Sequence, residues 1–411
     1  MFFTQQNKLL LGILWGLVVA PSAMAQESSP SFDSLFEDAA MRVDYHHYGD
    51  AKKEHISLDV VIREGPWPGP ARNLTGAPDY GKYRFRVVDL ASGDAIFEQG
   101  YSTLFGEWQT TGEAAKLEKV FPETVRFPYP KKPVRLEIFT HDAKGELAKI
   151  FSEDLDPASH LVRRPQERKD AEVILLNDGG PARTSLDVVI IADGYPTDQA
   201  DKARKDLQRY SEVLLSSPPF HKYKDKISVR GVVSHTEYSG PEEPRKGVFN
   251  TSRVGCTFNT FDSARYLTTM KNKEMRDLAA LVPYDAIFIM VNSSRYGGAG
   301  IYNFFSIFVS DNEYDEYVFV HEFGHGFAGL ADEYYSSSVA YSDFYPRGVE
   351  PREPNITALL DGPDKLKWKD MVQAEVPIPT PPDGHRDRVG AFEGAGYSAK
   401  GLYRPAFDCK M

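Results

Sequence analysis

This chain of 411 residues has few cysteines, a negative net charge and few long apolar runs. It has only two cysteines, Cys256 and Cys409, and neither belongs to a C-x-x-C pattern, so cysteine ligation of a metal is not expected. Acidic residues outnumber basic ones, and the formal charge of −11 argues against nucleic acid or an anionic membrane as a partner. Beyond the N-terminus no stretch has the length and apolarity of a transmembrane helix.

The N-terminus has the pattern of a secretory signal peptide. Lys8 precedes the apolar run Leu9–Ala20, which is too short to span a bilayer, and Ala23–Ala25 offers a small-x-small cleavage site. We therefore predict that residues 1–25 are removed near Ala25 and that the mature chain is secreted or periplasmic. Loss of Lys8 would change the formal charge from −11 to −12.

The two cysteines allow one disulfide. An exported chain meets oxidising conditions, in which Cys256 and Cys409 would close a long loop within the C-terminal half. The alternative is two unrelated buried thiols, and the sequence leaves both readings open.

Residues 26–160 predict an antiparallel β-sandwich. Short segments alternate apolar and polar residues at period two, and turns rich in Gly, Pro and Asp separate them. The clearest segments are His55–Ile62, Tyr83–Asp89 and Val134–Thr140. The histidines of this half have no ligand spacing, so we expect ordinary surface residues at His46, His47, His55 and His141. A polar, charged stretch from Asp156 to Asp170 is the predicted linker.

Residues 170–411 predict a second, α/β domain. Buried strands alternate with amphipathic helices, which is the order of a mainly parallel sheet covered by helices. The predicted strands are Ser185–Ala192, Ile227–Val233 and Asp285–Val291, and the predicted helices are Gln199–Leu215 and Asp262–Leu281. The expected fold is α+β overall, with an antiparallel sandwich followed by this α/β domain.

A glycine-rich stretch, Asn292–Tyr302, follows the third of these strands. Glycine lets another backbone approach closely, so the stretch would suit an edge strand that pairs with an extended peptide substrate. A hairpin joining two strands of the sheet is the equally acceptable alternative. A phosphate loop is excluded, because the Gly-Lys-Ser/Thr ending is missing.

The segment His321-Glu322-Phe323-Gly324-His325 predicts a zinc site. On a helix, His321 and His325 lie one turn apart on one face, so both imidazoles can reach a single ion. Glu322 would then act as the general base toward a metal-activated water. Apolar residues on both sides, Tyr317–Val320 and Phe327, predict a buried helix, where histidines need partners or a metal.

A catalytic zinc usually has three protein ligands and an open position. Gly329 lets the chain leave the helix and turn back, which would bring Asp332 to the metal, with Glu333 as the second choice. The carboxylate that does not ligate would support a histidine instead. Tyr334 and Tyr335 are candidate oxyanion donors, although aromatic packing is the more common role of such residues.

These residues resemble a known family. The run His321–Tyr335 is similar to the motif of the IgA-peptidase-like zinc metallopeptidases, a metzincin-like group. The resemblance includes upstream and downstream segments, namely Ala192–Tyr195, Tyr266–Thr269, Glu353–Ile356, Val389–Tyr397 and Gly401–Pro405. The N-terminal β-sandwich also matches the extra domain that precedes the catalytic part in that family.

The resemblance implies His321 and His325 as zinc ligands, Glu322 as the base and Asp332 as the third ligand. It also implies that Met411 occupies the methionine-containing turn below the metal. Metzincins place the third ligand six residues after the second histidine, whereas Asp332 comes seven residues after His325, so the turn must differ. Relatives continue past the position of Met411, so we expect a shortened form.

The function expected from this pattern is a secreted endopeptidase with one catalytic Zn²⁺, acting on protein or peptide substrates. The N-terminal domain would contact a glycan or protein. One rival is a secreted binding protein with a peptidase fold and a vestigial or structural zinc site, but such a site has no need of Glu322. A zinc hydrolase of non-peptide amides or esters is compatible with the same motif.

Overall fold

A computed structural model of the protein describes residues 31–142, 144–165, 170–336 and 344–411. The predicted signal peptide, residues 1–25, lies outside these residues. Phe32–Met411 form one compact unit, so the division into domains at residues 160–170 stays a prediction. Among the residues described, no helix has the length and apolarity needed to cross a membrane.

The N-terminal part consists of two antiparallel sheets. Its elements are α1 (Phe32–Leu35), β1 (Phe36–Gly49), β2 (Glu54–Arg63), β3 (Tyr83–Asp89), β4 (Ala95–Tyr101), α2 (Leu104–Trp108), β5 (Lys119–Pro130), β6 (Val134–His141) and β7 (Leu147–Leu155). One sheet has the order β2-β1-β5 and the other the order β4-β3-β6-β7. Every pairing in both sheets is antiparallel, as predicted. We refer to these strands as the N-terminal sheets.

The two N-terminal sheets share one apolar core. Val43 and Phe127 from the first sheet and Phe85 and Leu136 from the second are all fully buried in it. The rings of Phe85 and Phe127 meet across the sheets with centroids 6.2 Å apart. Alternate residues of β3 and β6 point into this core, which explains the period-two pattern of the sequence.

The second half is built on a six-stranded sheet. Its elements are β8 (Glu172–Asn177), β9 (Leu186–Asp193), α3 (Ala200–Ser216), β10 (Ile227–Val233), β11 (Cys256–Thr257), β12 (Thr268–Thr269), α4 (Asn272–Ala279), β13 (Ala286–Val291), β14 (Gly298–Ile301), β15 (Phe305–Val309), α5 (Asp315–Ala328), β16 (Phe392–Ala395) and β17 (Ser398–Arg404). The sheet has the order β14-β15-β13-β9-β10-β8. It is mixed, because β8 and β14 pair antiparallel at its two edges and the inner strands pair parallel. The expected mainly parallel arrangement therefore describes the inner four strands alone.

Helices cover both faces of this sheet. Leu207 of α3 and Phe319 of α5 join one core, together with every second residue of β9. On the opposite face, Leu278 of α4 and Phe105 of α2 join a second core with the remaining β9 residues. Since β9 is buried on both faces, its sequence is continuously apolar rather than alternating. Helix α2, which follows β4 of the N-terminal sheets, thus packs against the six-stranded sheet on the face opposite α5.

Two predictions about local structure are wrong. The helix expected over Asp262–Leu281 is present only as α4, because Phe261 and Asp262 have positive φ angles and Thr268–Thr269 form β12 instead. His47 is not a surface histidine. It is buried, with Nδ1 2.9 Å from Glu123 Oε2 and Nε2 3.0 Å from Glu54 Oε2.

A buried cluster of charges joins the N-terminal sheets to α4. Arg42 on β1 contacts Asp44 at 2.7 Å, Glu64 at 3.3 Å and Asp277 of α4 at 2.9 Å. Arg126 on β5 contacts Glu64 at 2.7 Å and also donates to the backbone carbonyl of Tyr284, just before β13, at 2.8 Å. Buried carboxylates need such partners because burial removes the water that would otherwise solvate their charge. Arg42 therefore neutralises acidic groups from both halves.

Replacing Arg42 by methionine should destabilise the protein by about 3–5 kcal/mol, because Asp44 would keep a buried charge without its cation and Glu64 would keep only Arg126. Urea unfolding of both proteins measures the difference. The control is Arg135→Met, which removes an exposed pair with Asp154 and should cost far less. Equal losses in the two variants would contradict a structural role for the buried cluster.

Candidate active site

The helix α5 carries the three central residues of the predicted site. It runs from Asp315 to Ala328 and ends at Gly329, which has a φ of 64° and donates its N–H to carbonyls of the last turn. The helix is buried through Val318, Phe319 and Phe323, as predicted. Its two flanking aromatic residues differ from the expectation, because Tyr317 is 45% and Phe327 38% exposed. The residues of α5 that line the cleft are instead His321, Glu322 and His325.

Three donor atoms from the predicted ligands converge. His321 Nε2 and His325 Nε2 are 3.0 Å apart, and each lies 3.2 Å from Asp332 Oδ1. Zinc ligands at 2.0–2.2 Å in a tetrahedral arrangement lie roughly 3.3 Å from one another, so the spacing suits one ion. Across the described parts of the chain, His321, His325 and Asp332 are the one cluster of three such donors.

Backbone carbonyls determine which histidine nitrogens face the centre of this cluster. His321 Nδ1 lies 2.7 Å from the Lys410 carbonyl oxygen, and His325 Nδ1 lies 2.6 Å from that of Leu330. A carbonyl can only accept, so each Nδ1 carries a proton and donates it. In a neutral ring Nε2 is then a lone-pair acceptor. Two acceptors and a carboxylate oxygen facing one another need a cation between them.

Asp332 is held in place by residues outside the motif. Its Oδ2 accepts a hydrogen bond from the Tyr397 hydroxyl, and its backbone carbonyl accepts from the N–H of Gly396. Burial opposes ionisation of Asp332, but the positive charge that the imidazoles of His325 and His321 carry when protonated in the metal-free site outweighs that effect and holds the pKa of the carboxyl well below its usual range. Asp332 therefore presents an ionised oxygen to the two imidazoles.

Asn355 shapes the turn that brings Asp332 back to the helix. Its side-chain amide donates to the Ala331 carbonyl at 2.8 Å, and its Oδ1 accepts from the Ala331 N–H at 2.8 Å. The same amide nitrogen donates to Glu333 Oε1 at 3.0 Å. A single buried side chain thus bonds both sides of this turn.

Glu333, the second-choice ligand, does not join the cluster. Its Oε1 accepts from Asn355, and its Oε2 accepts from the thiol of Cys409 at 3.0 Å. Burial and the neighbouring Glu333 raise the pKa of Cys409 to about 12, so the thiol stays protonated and can donate. Glu333 thus supports the turn from the side opposite the metal ligands.

The predicted disulfide between Cys256 and Cys409 is absent, because both cysteines are free thiols. Cys256 is fully buried in the core between the six-stranded sheet and α4, beside Asp193. Cys409 is exposed and donates to Glu333. The two thiols therefore have separate partners in different parts of the fold, and the alternative of two unrelated buried thiols is correct for Cys256 but not for the exposed Cys409.

Glu322 is buried beside the two histidines. Burial raises the pKa of its carboxyl to about 8, with Asp332 adding to the rise and His321 opposing it. A carboxyl in this state would hold a proton at neutral pH unless a cation were near. A divalent cation at His321, His325 and Asp332 would lower that pKa again, as a general base requires.

The remaining predicted residues lie around the same site. The ring of Tyr334 lies nearly parallel to that of His321, with centroids 6.4 Å apart, and lines the cleft. Tyr335 instead contacts Arg404, with the guanidinium carbon 5.5 Å from its ring centroid, and is not among the cleft-lining residues. The Sδ atom of Met411 lies against Gly324 of α5, between the two histidines, where the resemblance puts the methionine turn.

The glycine-rich stretch supplies the edge strand β14, which pairs antiparallel with β15 as a hairpin. An added Cβ on Gly300 would lie 2.4 Å from the Glu322 carbonyl oxygen, and one on Gly298 would lie 2.6 Å from Glu322 Oε1. Only glycine permits this approach of strand and helix. The unpaired edge of β14 borders a cleft of about 570 Å³ that contains His321, Glu322 and His325.

Fold and site together define a class of protein, an α+β chain with a candidate metal centre at the edge of a mixed sheet. Residues 174–386, more than half of the chain, match the IgA peptidase M64 family, and residues 31–152 match the N-terminal part of that family. The chain belongs to the IgA peptidase M64 family, which implies a metallopeptidase. No curated protein matches the chain.

Several residues of the site were not assigned a role from the sequence. Tyr397 and Asn355 lie within segments that carried the family resemblance, so that resemblance is the signal that could have singled them out. The carbonyls of Leu330 and Lys410 have no sequence signal, because any residue supplies one. Glu107 of α2 also lines the cleft, although more than two hundred residues separate it from α5.

Glu322→Gln should make the metal-free protein relatively more stable as the pH rises. In the folded state the pKa of this carboxyl is about 8, against 4.5 as its ordinary value. Between those values the folded chain keeps a proton that the unfolded chain releases, so the wild type loses stability with rising pH. Glutamine does not titrate and so loses no stability in this way. The difference in unfolding free energy between the variant and the wild type should therefore grow by about a few kcal/mol over this pH range, the order of magnitude that the pKa shift of Glu322 implies.

Urea unfolding at pH 5 and pH 8 in the presence of a chelator measures this gap. The matched control is Glu316→Gln, an exposed carboxylate on the same helix, whose difference from the wild type should change little with pH. A gap for Glu322→Gln that is the same at both pH values would contradict the raised pKa.

Proposed function

We propose that the protein is a secreted, zinc-dependent endopeptidase. His321, His325 and Asp332 would hold the zinc, and Glu322 would be the general base. The observation that carries the proposal is the convergence of three donor atoms beside a buried carboxyl at the edge of a sheet. Family membership supports a metallopeptidase, and the signal-like N-terminus supports export.

Zinc is the metal that this donor set favours. Two neutral imidazoles and one carboxylate suit zinc, and three protein ligands leave a coordination position open, as catalytic sites do. A zinc ion held here would polarise the scissile carbonyl and acidify the attacking water. The carbonyls of Leu330 and Lys410 support this reading, since each fixes one histidine with Nε2 toward the common centre.

The edge of β14 would bind the substrate as an additional strand. Within the residues that the structure describes, no strand pairs with its outward-facing N–H and C=O groups on that side, and these groups border the cleft that contains Glu322. A peptide that pairs with this edge places its backbone, rather than one particular side chain, next to the ligands. Main-chain pairing of this kind suits hydrolysis of extended peptide segments.

Glu322 would perform both proton transfers. Its carboxylate accepts the proton of the attacking water and then gives that proton to the leaving amine, so the base is restored at the end of the cycle. Burial suits this exchange, because solvent has little access to the proton while Glu322 holds it. Tyr334 is the proposed hydrogen-bond donor to the developing oxyanion, since its ring lines the cleft beside His321.

Glu322→Gln should abolish most cleavage while zinc remains bound, because glutamine keeps the shape of the side chain but accepts no proton. We expect a loss of roughly 10²–10⁴-fold in the cleavage rate, the usual contribution of general base catalysis. Mass spectrometry of peptides released from an unfolded protein mixture, with zinc content determined in parallel, tests this. Glu316→Gln on the exposed side of the helix is the control and should cleave as the wild type does.

Two outcomes would count against the proposal. Undiminished cleavage by Glu322→Gln would remove this residue from catalysis. A wild-type protein that binds zinc but releases no peptide from any substrate would favour the rival, a binding protein with a structural metal.

Asp332→Ala should weaken zinc binding more than Glu333→Ala does. Asp332 Oδ1 lies 3.2 Å from both histidine Nε2 atoms, whereas Glu333 faces Asn355 and Cys409. Loss of an outer supporting residue costs roughly 10–100-fold in metal affinity, so the loss of the ligand itself should exceed that range. Competition with a coloured zinc chelator gives both affinities, and the reverse order would make Glu333 the ligand.

A further inference from the structure

The N-terminal sheets contribute one wall of the cleft. The N–H of Ser102, just before α2, donates to the Tyr302 carbonyl at 2.9 Å, and Asn303 donates to the Gly100 carbonyl at 2.7 Å. These two bonds fix the start of α2 over the end of β14. Within α2, the ring of Phe105 stacks on His47 with centroids 3.9 Å apart, which holds the helix rigidly on the N-terminal sheets.

Glu107 projects from α2 into this cleft. Part of its side chain stays open to the cleft, and one carboxylate oxygen accepts a hydrogen bond from the Tyr266 hydroxyl. Burial raises the pKa of Glu107 to about 7, and His325 and Asp332 lie close enough to act on it in opposite directions. Glu107 and the candidate ligands His325 and Asp332 therefore line the same cleft.

No cation pairs with Glu107 among the described residues. Lys82 lines the same cleft, but its ammonium donates to Gln109 at 2.5 Å, and the acidic groups that act on its pKa are Glu54 and Glu123. A carboxyl set in a cleft without a cationic partner would gain most from a ligand that brings one.

The positions of Glu322 and His325 along β14 give the direction of a bound peptide. Glu322 Oε1 lies beside Gly298, whereas the Cβ atom of His325 lies beside Gly300. The leaving amine must lie near Glu322, which protonates it, so the leaving part of the substrate extends past Gly298. The acyl part then extends toward Ile301 and Tyr302, beneath the start of α2, the helix that carries Glu107.

The acyl end of the cleft is closed. The ring of Tyr302 contacts that of Tyr80, with centroids 6.2 Å apart. Next to this contact, Arg352 joins the two sides of the cleft, donating to Asp79 Oδ2 at 2.7 Å and to the Gly145 carbonyl at 2.5 Å. Few residues can therefore precede the scissile bond in a straight path.

We infer that Glu107 is a specificity-determining residue that binds a cationic nitrogen of the substrate on the acyl side of the scissile bond. The nitrogen would be the side chain of a lysine or arginine, or a free amino terminus that ends at the closed side of the cleft. The inference rests on the proposed peptidase function and adds a substrate class to it. The competing view is that Glu107 serves only to bond Tyr266 and so joins the N-terminal sheets to the rest.

The test uses one peptide sequence in matched forms. Acetylated peptides carry lysine, norleucine or glutamate as the acyl-side residue, and norleucine matches lysine in length without its charge. The norleucine peptide is also made with a free amino terminus. The ratio of kcat/KM between lysine and norleucine reports a side-chain cation, and the ratio between free and acetylated termini reports the α-amine.

Wild-type protein should prefer at least one cationic form by roughly tenfold, the size expected of a charge-assisted hydrogen bond. Glu107→Gln should remove that preference, because glutamine can still accept from Tyr266 but has no charge. Tyr266→Phe should keep the preference, since the carboxylate remains. Glu118→Gln, which changes an exposed acid directly before β5, is the matched charge control and should also keep it.

A binding measurement separates this inference from the proposed catalysis. Calorimetry with the Glu322→Gln protein should show the same tenfold preference for a cationic peptide, with no cleavage, and the double variant Glu107→Gln/Glu322→Gln should lose it. A wild type that cleaves all forms equally, or a preference that survives Glu107→Gln, would overturn the inference and leave the peptidase intact. A wild type that cleaves no form while the binding preference persists would overturn the peptidase alone.

Discussion

The mutual approach of two imidazole nitrogens and one carboxylate oxygen is the constraint on which the rest of the site depends. Three electron-rich atoms about 3 Å apart repel one another unless a cation lies between them. The protein holds them there by fixing the other side of each group. Carbonyls hold the two Nδ1 atoms, and Tyr397 holds the second oxygen of Asp332.

The turn after α5 shows how much structure this arrangement needs. Gly329 ends the helix with a left-handed backbone, and Asn355 then bonds both the N–H and the carbonyl of Ala331. Cys409 and Glu333 support the same turn from the other side. Residues separated by some eighty positions thus determine where the Asp332 carboxylate points. The segment His321–His325 alone would not fix that direction.

Local periodicity predicted much of the fold. The strands Tyr83–Asp89 and Ile227–Val233 have the bounds that the apolar pattern indicated, because each is buried on the faces that the pattern describes. Periodicity failed over Asp262–Leu281, where positive φ at Phe261 and Asp262 breaks a stretch with helical composition. A backbone of that kind at non-glycine residues is imposed by tertiary contacts, which no local pattern records.

In the candidate site too, the sequence predicted some of the residues but not others. His321, Glu322 and His325 could be predicted because the expected metal chemistry depends on their spacing along one helix, and that spacing is visible in the sequence. Asp332 followed from the exit at Gly329, and the structure brings it to the same centre. Glu107 and Tyr397 could not be assigned, since their places depend on how distant segments pack. The disulfide failed for a related reason, because counting cysteines says nothing about the distance between them.

The bridge made by Arg352 has a consequence for the form in which a substrate arrives. Its two hydrogen bonds join the two sides of the cleft at the acyl end, so the cleft cannot widen there without breaking both. A compact domain presented whole would meet the rim and go no further. Tails, linkers and unfolded chains would enter, and the local folding stability of a target protein would determine where it is cut.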